Sequence, residues 1–279
     1  MTTSRRARRA GPDPRAVRSS LIALVSSVVV FGAIAWVVVH APGWPEVQAS
    51  FFNAEVFWAS LPGLLTAFVI NIELFMIAEV FILILGLILA TMRGLAGPVF
   101  LPIRVMSTIY TDIFRAIPGI LVIYILGFAV AGLGLIDPRT DQRLFGIIAL
   151  TLVYSAYVSE VYRAGIESVH PSQAAAARSL ALSRWQALRF VIIPQAVRRV
   201  VPPLLNDFVA LQKDTALVAF VVAVPEAFKE ATIIQSDLFN FTPLLCAALL
   251  FLCITIPLTR LVDVLVARER SKRETGGAM

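Results

Sequence analysis

Long apolar runs separated by short polar punctuation dominate the chain. Runs at residues 21–39, 61–92, 105–133, 144–162, 197–224 and 243–266 each approach or exceed the roughly 20 residues that a helix needs to cross a hydrocarbon core. Most are apolar all round rather than along one stripe, the pattern of a helix in lipid or inside a bundle. Between the fourth and fifth runs lies a polar, alanine-rich island at residues 168–194. Pro171 suits a first helical turn, and from Gln173 to Leu182 the residues are good helix formers. Ser183 reads as an N-cap and Gln186, three residues on, completes a capping box, so a second helix starts there and runs toward Pro194. Ala174, Ala177 and Ala181 fall at i, i+3 and i+7, a small-residue stripe that lets another surface come close to the backbone. An alanine-rich loop helix tucked against its own bundle would show the same spacing. The expected fold class is all-α: a polytopic membrane helical bundle of about six transmembrane helices, both termini cytosolic, with a cytosolic helical segment between spans four and five.

Composition supports that class. Hydrophobic residues make up 58% of the 279 and charged ones 15%, against about 25% charged in soluble domains. Charge then orients the chain. Of the 24 Lys and Arg, the great majority fall in segments expected inside. The outer loops hold only Arg139, Arg143 and Lys229, a strong positive-inside bias. Residues 1–20, with Arg5, Arg6, Arg8, Arg9, Arg15 and Arg18 among glycine and prolines, read as a basic disordered cytosolic tail. The run at 21–39 exceeds the 7–15 residues of a signal-peptide core and is followed by no clean cleavage site, so it reads as a retained anchor. Residues 21–60 are then expected to form an N-terminal transmembrane helix and an outer loop, 61–267 the main membrane domain, and 268–279 a second basic cytosolic tail.

Within the second run, Gly86, Ala90 and Gly94 are spaced by four and predict a close-packing face. Pro118 and Gly119 predict a kink in the third span, and Pro202 with Pro203 an interruption of the fifth. The stretch 225–242 is expected to lie on the outer side. Cys246 and Cys253, seven apart on an apolar segment, are too far apart along a helix to bridge and read as small hydrophobes. The chain has no G-x-x-x-x-G-K, H-E-x-x-H or C-x-x-C motif and two unpartnered histidines, His40 and His170. No metal or cofactor is expected on it, and any nucleotide chemistry belongs to another chain. The basic residues sit at the ends of apolar runs and form no stripe with interleaved aromatics, so nucleic acid is not an expected partner.

The fifth run carries Asn206, Asp207, Gln212, Lys213, Asp214 and Thr215, too polar a set to face lipid. Adjacent helical residues point about 100° apart, so Lys213 and Asp214 are expected to meet different neighbours in a permeation path or gate. Arg115, just before the kink, could bind a carboxylate bidentately or snorkel to the inner headgroups. Glu73 and Glu79 are six apart, so only one can readily face a given site. Pairing with Arg115 or Lys213 is the plainer expectation for both. Glu160 and Arg163, at the inner end of the fourth span, are expected to brace the island.

The island resembles the cytosolic coupling loop of ATP-binding-cassette importer permeases. The run A-A-A-R-S-L-A-L-S-R-W-Q-A-L-R-F-V-I-I-P follows that family's pattern, with Ala175 where Glu is usual and Ala181 where Gly is usual. E-V-Y-R-A-G-I-E-S-V before it, P-Q-A-V-R-R-V-V-P-P-L-L-N-D-F-V-A-L-Q-K-D-T-A-L-V after it and F-R-A-I-P-G at residues 114–119 look like the polar-amino-acid (glutamate, glutamine, histidine) branch. The resemblance implies that Gln173, Ala174, Ala175, Ala177, Arg178, Ala181, Ser183 and Arg184 contact a cytosolic ATPase. It also implies that the K-D-T segment lies near the translocation axis. ATP and Mg would reside on that ATPase, so this chain would not be an enzyme. A second permease chain, identical or homologous, an extracytoplasmic amino-acid-binding protein and membrane lipid complete the expected partners, in a bacterial plasma membrane. The alternative is a secondary transporter or channel using Glu73 and Glu79 as a relay. An inverted repeat would support it, and no second copy of the island or of K-D-T is present. A scaffold without transport is hard to square with so polar a fifth span.

Overall fold

The structure, a computed structural model, describes residues 14–130, 133, 141–221 and 224–276. Arg5, Arg6, Arg8 and Arg9 of the N-terminal tail, Arg139 of the outer loop and the last three residues lie outside the described residues. Among those described, every regular element is helical. They form two compact units, residues 1–53 and 54–279.

The first unit contains α1 (Pro14–Val39) and α2 (Trp44–Phe51). The apolar side chains of α1 are exposed on all sides, from Leu21 to Val39. The Trp36 ring stacks on His40 with centroids 4.6 Å apart, and His40 Nδ1 lies 2.8 Å from the Trp36 carbonyl oxygen. The expected outer loop is therefore largely helical, because Pro45 and Glu46 suit the first turn of α2.

The second unit begins with α3 (Ala54–Gly94), which continues through Pro62. A 3₁₀ turn at Pro98–Phe100 leads into α4 (Leu101–Ala116), followed by α5 (Gly119–Tyr124) and a π-helical extension to Val130. Next come α6 (Arg143–Glu167), α7 (Pro171–Ser179), α8 (Arg184–Ala187), a π turn at Leu188–Ile192, α9 (Ile193–Asp214), a 3₁₀ segment at Thr215–Phe220, α10 (Ala227–Leu238) and α11 (Thr242–Gly276).

The core forms where α3 and α6 pack along their length. They run parallel, as Glu73 against Arg143 at one end and Arg93 against Glu160 at the other require. Leu74, Ile82, Leu150, Leu211 and Val218 are fully buried in this cluster. Glycines set the closeness of approach. A Cβ on Gly86 would stand 2.6 Å from Val158 Cγ1, and one on Gly146 would stand 2.6 Å from Val218 Cγ1. Gly86 and the buried Ala90 thus supply the expected close-packing face. Gly94 does not, since nothing lies within 4 Å of its Cβ position.

Among the described residues, four segments are long and apolar enough to cross a membrane: Arg18–Val39, Trp44–Gly94, Arg143–Glu167 and Thr242–Arg268; the bent pair of α4 and α5 adds a fifth candidate. The charged residues of α9, Arg198, Arg199, Asp207, Lys213 and Asp214, keep it out of that set. Other features differ from expectation or sharpen it. The kink at Pro118 is a 101° break, since Ile117 and Pro118 both adopt extended ψ as a residue before proline prefers. Pro202 and Pro203, by contrast, leave α9 continuous. Within residues 225–242, α10 buries Ala227 and Ala231 against α3 and α11. Cys246 and Cys253 are both free, and only Cys246 is buried.

Candidate functional site

Two pockets mark the groove between the facing sides of α6 and α9. Toward the end of α9 the first, of about 460 Å³, is lined by Tyr154, Tyr157, Asp207, Ala210, Asp214 and Leu217 and by Gly119 at the start of α5, among others. Toward the other end a second pocket, about 410 Å³, lies between Glu160, Val161, Ala164, Gly165 and Ser168 on one side and Arg199 and Pro203 on the other. The α6 positions 154, 157, 161, 164 and 168 and the α9 positions 214, 210, 207, 203 and 199 advance in steps of three and four. Both pockets therefore lie along one face of each helix. The helices come close enough for this because Gly165 lacks a side chain: a Cβ there would be 2.0 Å from Val200 Cγ2.

The walls are mostly apolar, with a few placed polar groups. Tyr154 donates its hydroxyl to Asp214 Oδ2 at 2.7 Å. Asp207 Oδ2 is buried and lacks a hydrogen-bond partner, and Glu79 of α3 lies within electrostatic reach of it. At the other end Glu160 gathers cations. It accepts from Arg163 Nη2 at 2.6 Å, from Arg163 Nε at 3.2 Å and from Arg93, with Arg115 4.0 Å away. Arg163 also donates to Glu167 at 2.6 Å, and Arg199 of α9 donates to the Ser168 carbonyl, where the island begins. Glu160 and Arg163 are thus tied into the helix that carries the island.

The other expected pathway residues scatter. Glu73 pairs with Arg143 at 2.8 Å, not with Arg115 or Lys213, so the two glutamates of α3 serve different neighbours. Arg115 sits 5.9 Å from the Tyr157 ring centroid beside the first pocket. Asn206 and Lys213 are exposed, while Asp214 turns to Tyr154 and Thr215 is buried. Gln212 is also buried and accepts from Thr255 of α11 at 2.7 Å. Sequence reasoning missed Asn71 and Glu226. Asn71 Nδ2 donates to Glu226 Oε2 at 2.9 Å and to Thr215 Oγ1 at 3.2 Å, and its Oδ1 accepts from the Ala227 N–H at 3.0 Å. A lone Asn within an apolar run was the available signal.

The island forms two short helices at a turn. His170 caps α7 by accepting from the Ser172 N–H at 3.2 Å. The capping box at the start of α8 is closed both ways: the Gln186 N–H donates to Ser183 Oγ at 3.2 Å and the Ser183 N–H to Gln186 Oε1 at 2.9 Å. The second helix does not stop at Pro194 but leads through a π turn into α9. The alanine stripe is the main correction. Ala177 is 3% exposed and faces its own chain, and Ala181 lies beyond α7 with φ 59°. What the island presents outward is Gln173, Ala175, Arg178 and Ser183, flanked by Leu180, Trp185 and Phe190, each more than 60% exposed. Ala174 is half-buried, and the side chain of Arg184 lies outside the described set.

Residues 84–271 match the family model of the binding-protein-dependent transport system inner membrane component. The chain belongs to that family. It is therefore a multi-pass bacterial inner-membrane permease subunit that works with a cytosolic ATPase and a binding protein. The glutamate/aspartate import permease GltK of Escherichia coli is 35% identical over 75% of this chain and 94% of its own length. The probable glutamine ABC transporter permease GlnM of Bacillus subtilis is 35% identical over 66% of this chain and 83% of its own. A solved amino acid ABC transporter, crystallised with histidines, superposes with a TM-score of 0.67 at 29% identity, covering 74% of this chain and 94% of that one. The first unit, residues 1–53, lies outside the residues the family model matches.

Proposed function

We propose that this permease imports a polar amino acid, glutamate, glutamine or a close relative, and that the α6/α9 groove is its half of the translocation pathway. The single observation carrying this reading is the pair of mostly apolar pockets along two helix faces, the first of which gathers the Tyr154–Asp214 pair and the unpartnered Asp207 Oδ2. Isolated polar groups in an apolar channel let a zwitterion exchange water for protein contacts without being held tightly. The names of the relatives supply the substrate class.

In this reading a second permease chain, identical or homologous, provides the facing half of the pathway. The exposed face of α7 and α8 docks on the ATPase, where ATP and Mg are bound. The chain itself binds no cofactor and catalyses no reaction. Closure of the ATPase moves the island, and the island moves α6 and α9 through the Arg199 contact to Ser168 and the Gln195 contact to Gln173. The test is uptake of labelled L-glutamate and L-glutamine by proteoliposomes holding the permease, its neighbouring ATPase and its binding protein. ATP-dependent uptake is the expected result. Uptake that ignores ATP and follows a proton gradient would replace this reading with the secondary-transporter one.

A further inference from the structure

Between the last turn of α9 and the start of α10 the backbone leaves the helix. Thr215–Phe220 is 3₁₀, Val221 is extended, and α10 begins at Ala227. Non-helical backbone inside an apolar bundle must have its polar groups satisfied by protein. Here one side chain of α3 serves both ends of the break. Asn71, fully buried, gives an amide N–H to Thr215 Oγ1 at 3.2 Å on the α9 side. Its other N–H goes to Glu226 Oε2 at 2.9 Å, and its oxygen accepts the Ala227 N–H at 3.0 Å on the α10 side. Glu226, also fully buried, uses both oxygens to cap α10, accepting from the Phe228 N–H at 3.0 Å and the Lys229 N–H at 2.6 Å. Thr215 donates to the Gln212 carbonyl at 2.8 Å.

The chemistry demands an amide at position 71. A carboxylate would lack both donors and would face Glu226 with a second acceptor, whereas an apolar residue would leave the Ala227 N–H without its Asn71 acceptor and Glu226 Oε2 with only the Phe228 N–H. Thr215 is the neighbour of Asp214, whose carboxylate meets Tyr154 in the groove. We propose that Asn71 is a positioning residue for transport: it fixes the distance between the groove end of α9 and the N-terminus of α10, so that displacement of α10 is transmitted to Asp214. This rests on the α6/α9 groove being the translocation pathway.

Two measurements test it. The first is positional and independent of transport. Spin labels at Lys213→Cys and Ile233→Cys, both exposed sites, in a Cys253→Ser background should give one narrow distance distribution. Asn71→Ala and the near-isosteric Thr215→Val should broaden it, while Thr215→Ser should restore it. A distribution unchanged in both variants overturns the proposal. The second measurement is ATP hydrolysis by the full complex with and without binding protein charged with L-glutamine or L-glutamate. In Thr215→Val the stimulated increment should fall by about tenfold, the scale set by the one hydrogen bond lost to the Asn71 amide, and in Asn71→Ala, which removes all three bonds of that side chain, by at least as much. Basal hydrolysis and subunit co-purification should hold. A proportional loss of basal rate and assembly would reduce Asn71 to a fold determinant and overturn the positioning role, as would full stimulation in both variants. Absence of stimulation in the unmodified complex would count against the amino-acid import reading, while the label distances would still decide for or against the latch.

Discussion

The α3/α6/α9 core and the cytosolic island reach order by opposite routes. In the core, order comes from tertiary contact: glycines at 86, 146 and 165 leave no room for a Cβ against Val158, Val218 and Val200. Interiors packed to that degree do not deform continuously and so move as bodies. The island has two helices of 9 and 4 residues, well below the roughly 12–15 at which an isolated helix is even marginal in water. It buries one residue of α7, Ala177, and holds its shape by local devices: the His170 cap, the Ser183–Gln186 box and the left-handed turn at Ala181. Such a segment keeps its geometry without a large core of its own, and Leu180, Trp185 and Phe190 stay exposed. The core should therefore respond to volume, and the island to backbone conformation and hydrogen bonding.

The sharpest way to break that contrast is Gly165→Ala. The new methyl would meet Val200 Cγ2, a stiff β-branched side chain, at 2.0 Å. Overpacking of this kind costs about 1–3 kcal/mol, and it should appear as a lower Tm of the detergent-solubilised permease. Val200→Ala in the same chain should recover most of the loss. Failure of that second change to compensate would mean that the α6/α9 spacing is not set at this contact.

Ser183→Ala is the matching test in the island. It removes the acceptor for the Gln186 N–H, a loss of about 0.5–2 kcal/mol for an N-cap. The cost should be confined to α8, so global Tm should barely move while substrate-stimulated ATP hydrolysis drops. Ala181→Gly works in the other direction. At φ 59° a Cβ is disfavoured by roughly 1 kcal/mol, partly offset by the extra freedom glycine has in the unfolded chain. Slower hydrogen exchange of the Leu182 amide, which donates to the Ala177 carbonyl at 3.2 Å, is the expected result. Faster exchange would show that the turn is not strained by alanine.

Much of this architecture is legible in the amino-acid order, and the limits are physical. The apolar runs and the capping box depend on local periodicity and chemistry, and both are present where the residues place them. The depth of the break at Pro118 is not readable, because proline reports lost helical bonding without saying whether the next helix continues at 20° or at 101°. Residues 202–203 show the converse, prolines that a packed helix accommodates. The direction of the alanine stripe also escapes, since spacing states which residues share a face but not what that face meets. In the groove, the pairing of Asp214 with Tyr154 joins positions sixty residues apart, and no local pattern links them. Asn71 was visible as a polar residue in an apolar run, but its partners lie more than 140 residues away. Glu226 was hidden because glutamate is not among the favoured N-cap residues.

The smallest expected effect isolates the island's outer face. Ala175 is exposed on α7, and its carbonyl accepts from Ser179 Oγ at 3.2 Å, a bond that Ala175→Glu leaves in place. The new carboxylate would lie three residues before Arg178, which is also exposed. An i,i+3 pair on a helix surface is worth about 0.2–0.5 kcal/mol. The change sits beyond the first turn, where the helix dipole has largely faded, and it adds no volume to the buried side occupied by Ala177. Global Tm should therefore shift by less than about 0.5 kcal/mol of equivalent stability. The informative readout is co-purification of the ATPase and its stimulated turnover. If α7 docks by the face that carries Arg178, the added side chain lands in the contact and association should hold or strengthen. A loss of association with Tm unchanged would show that this face needs a small residue at 175, and that docking depends on close backbone approach rather than on charge.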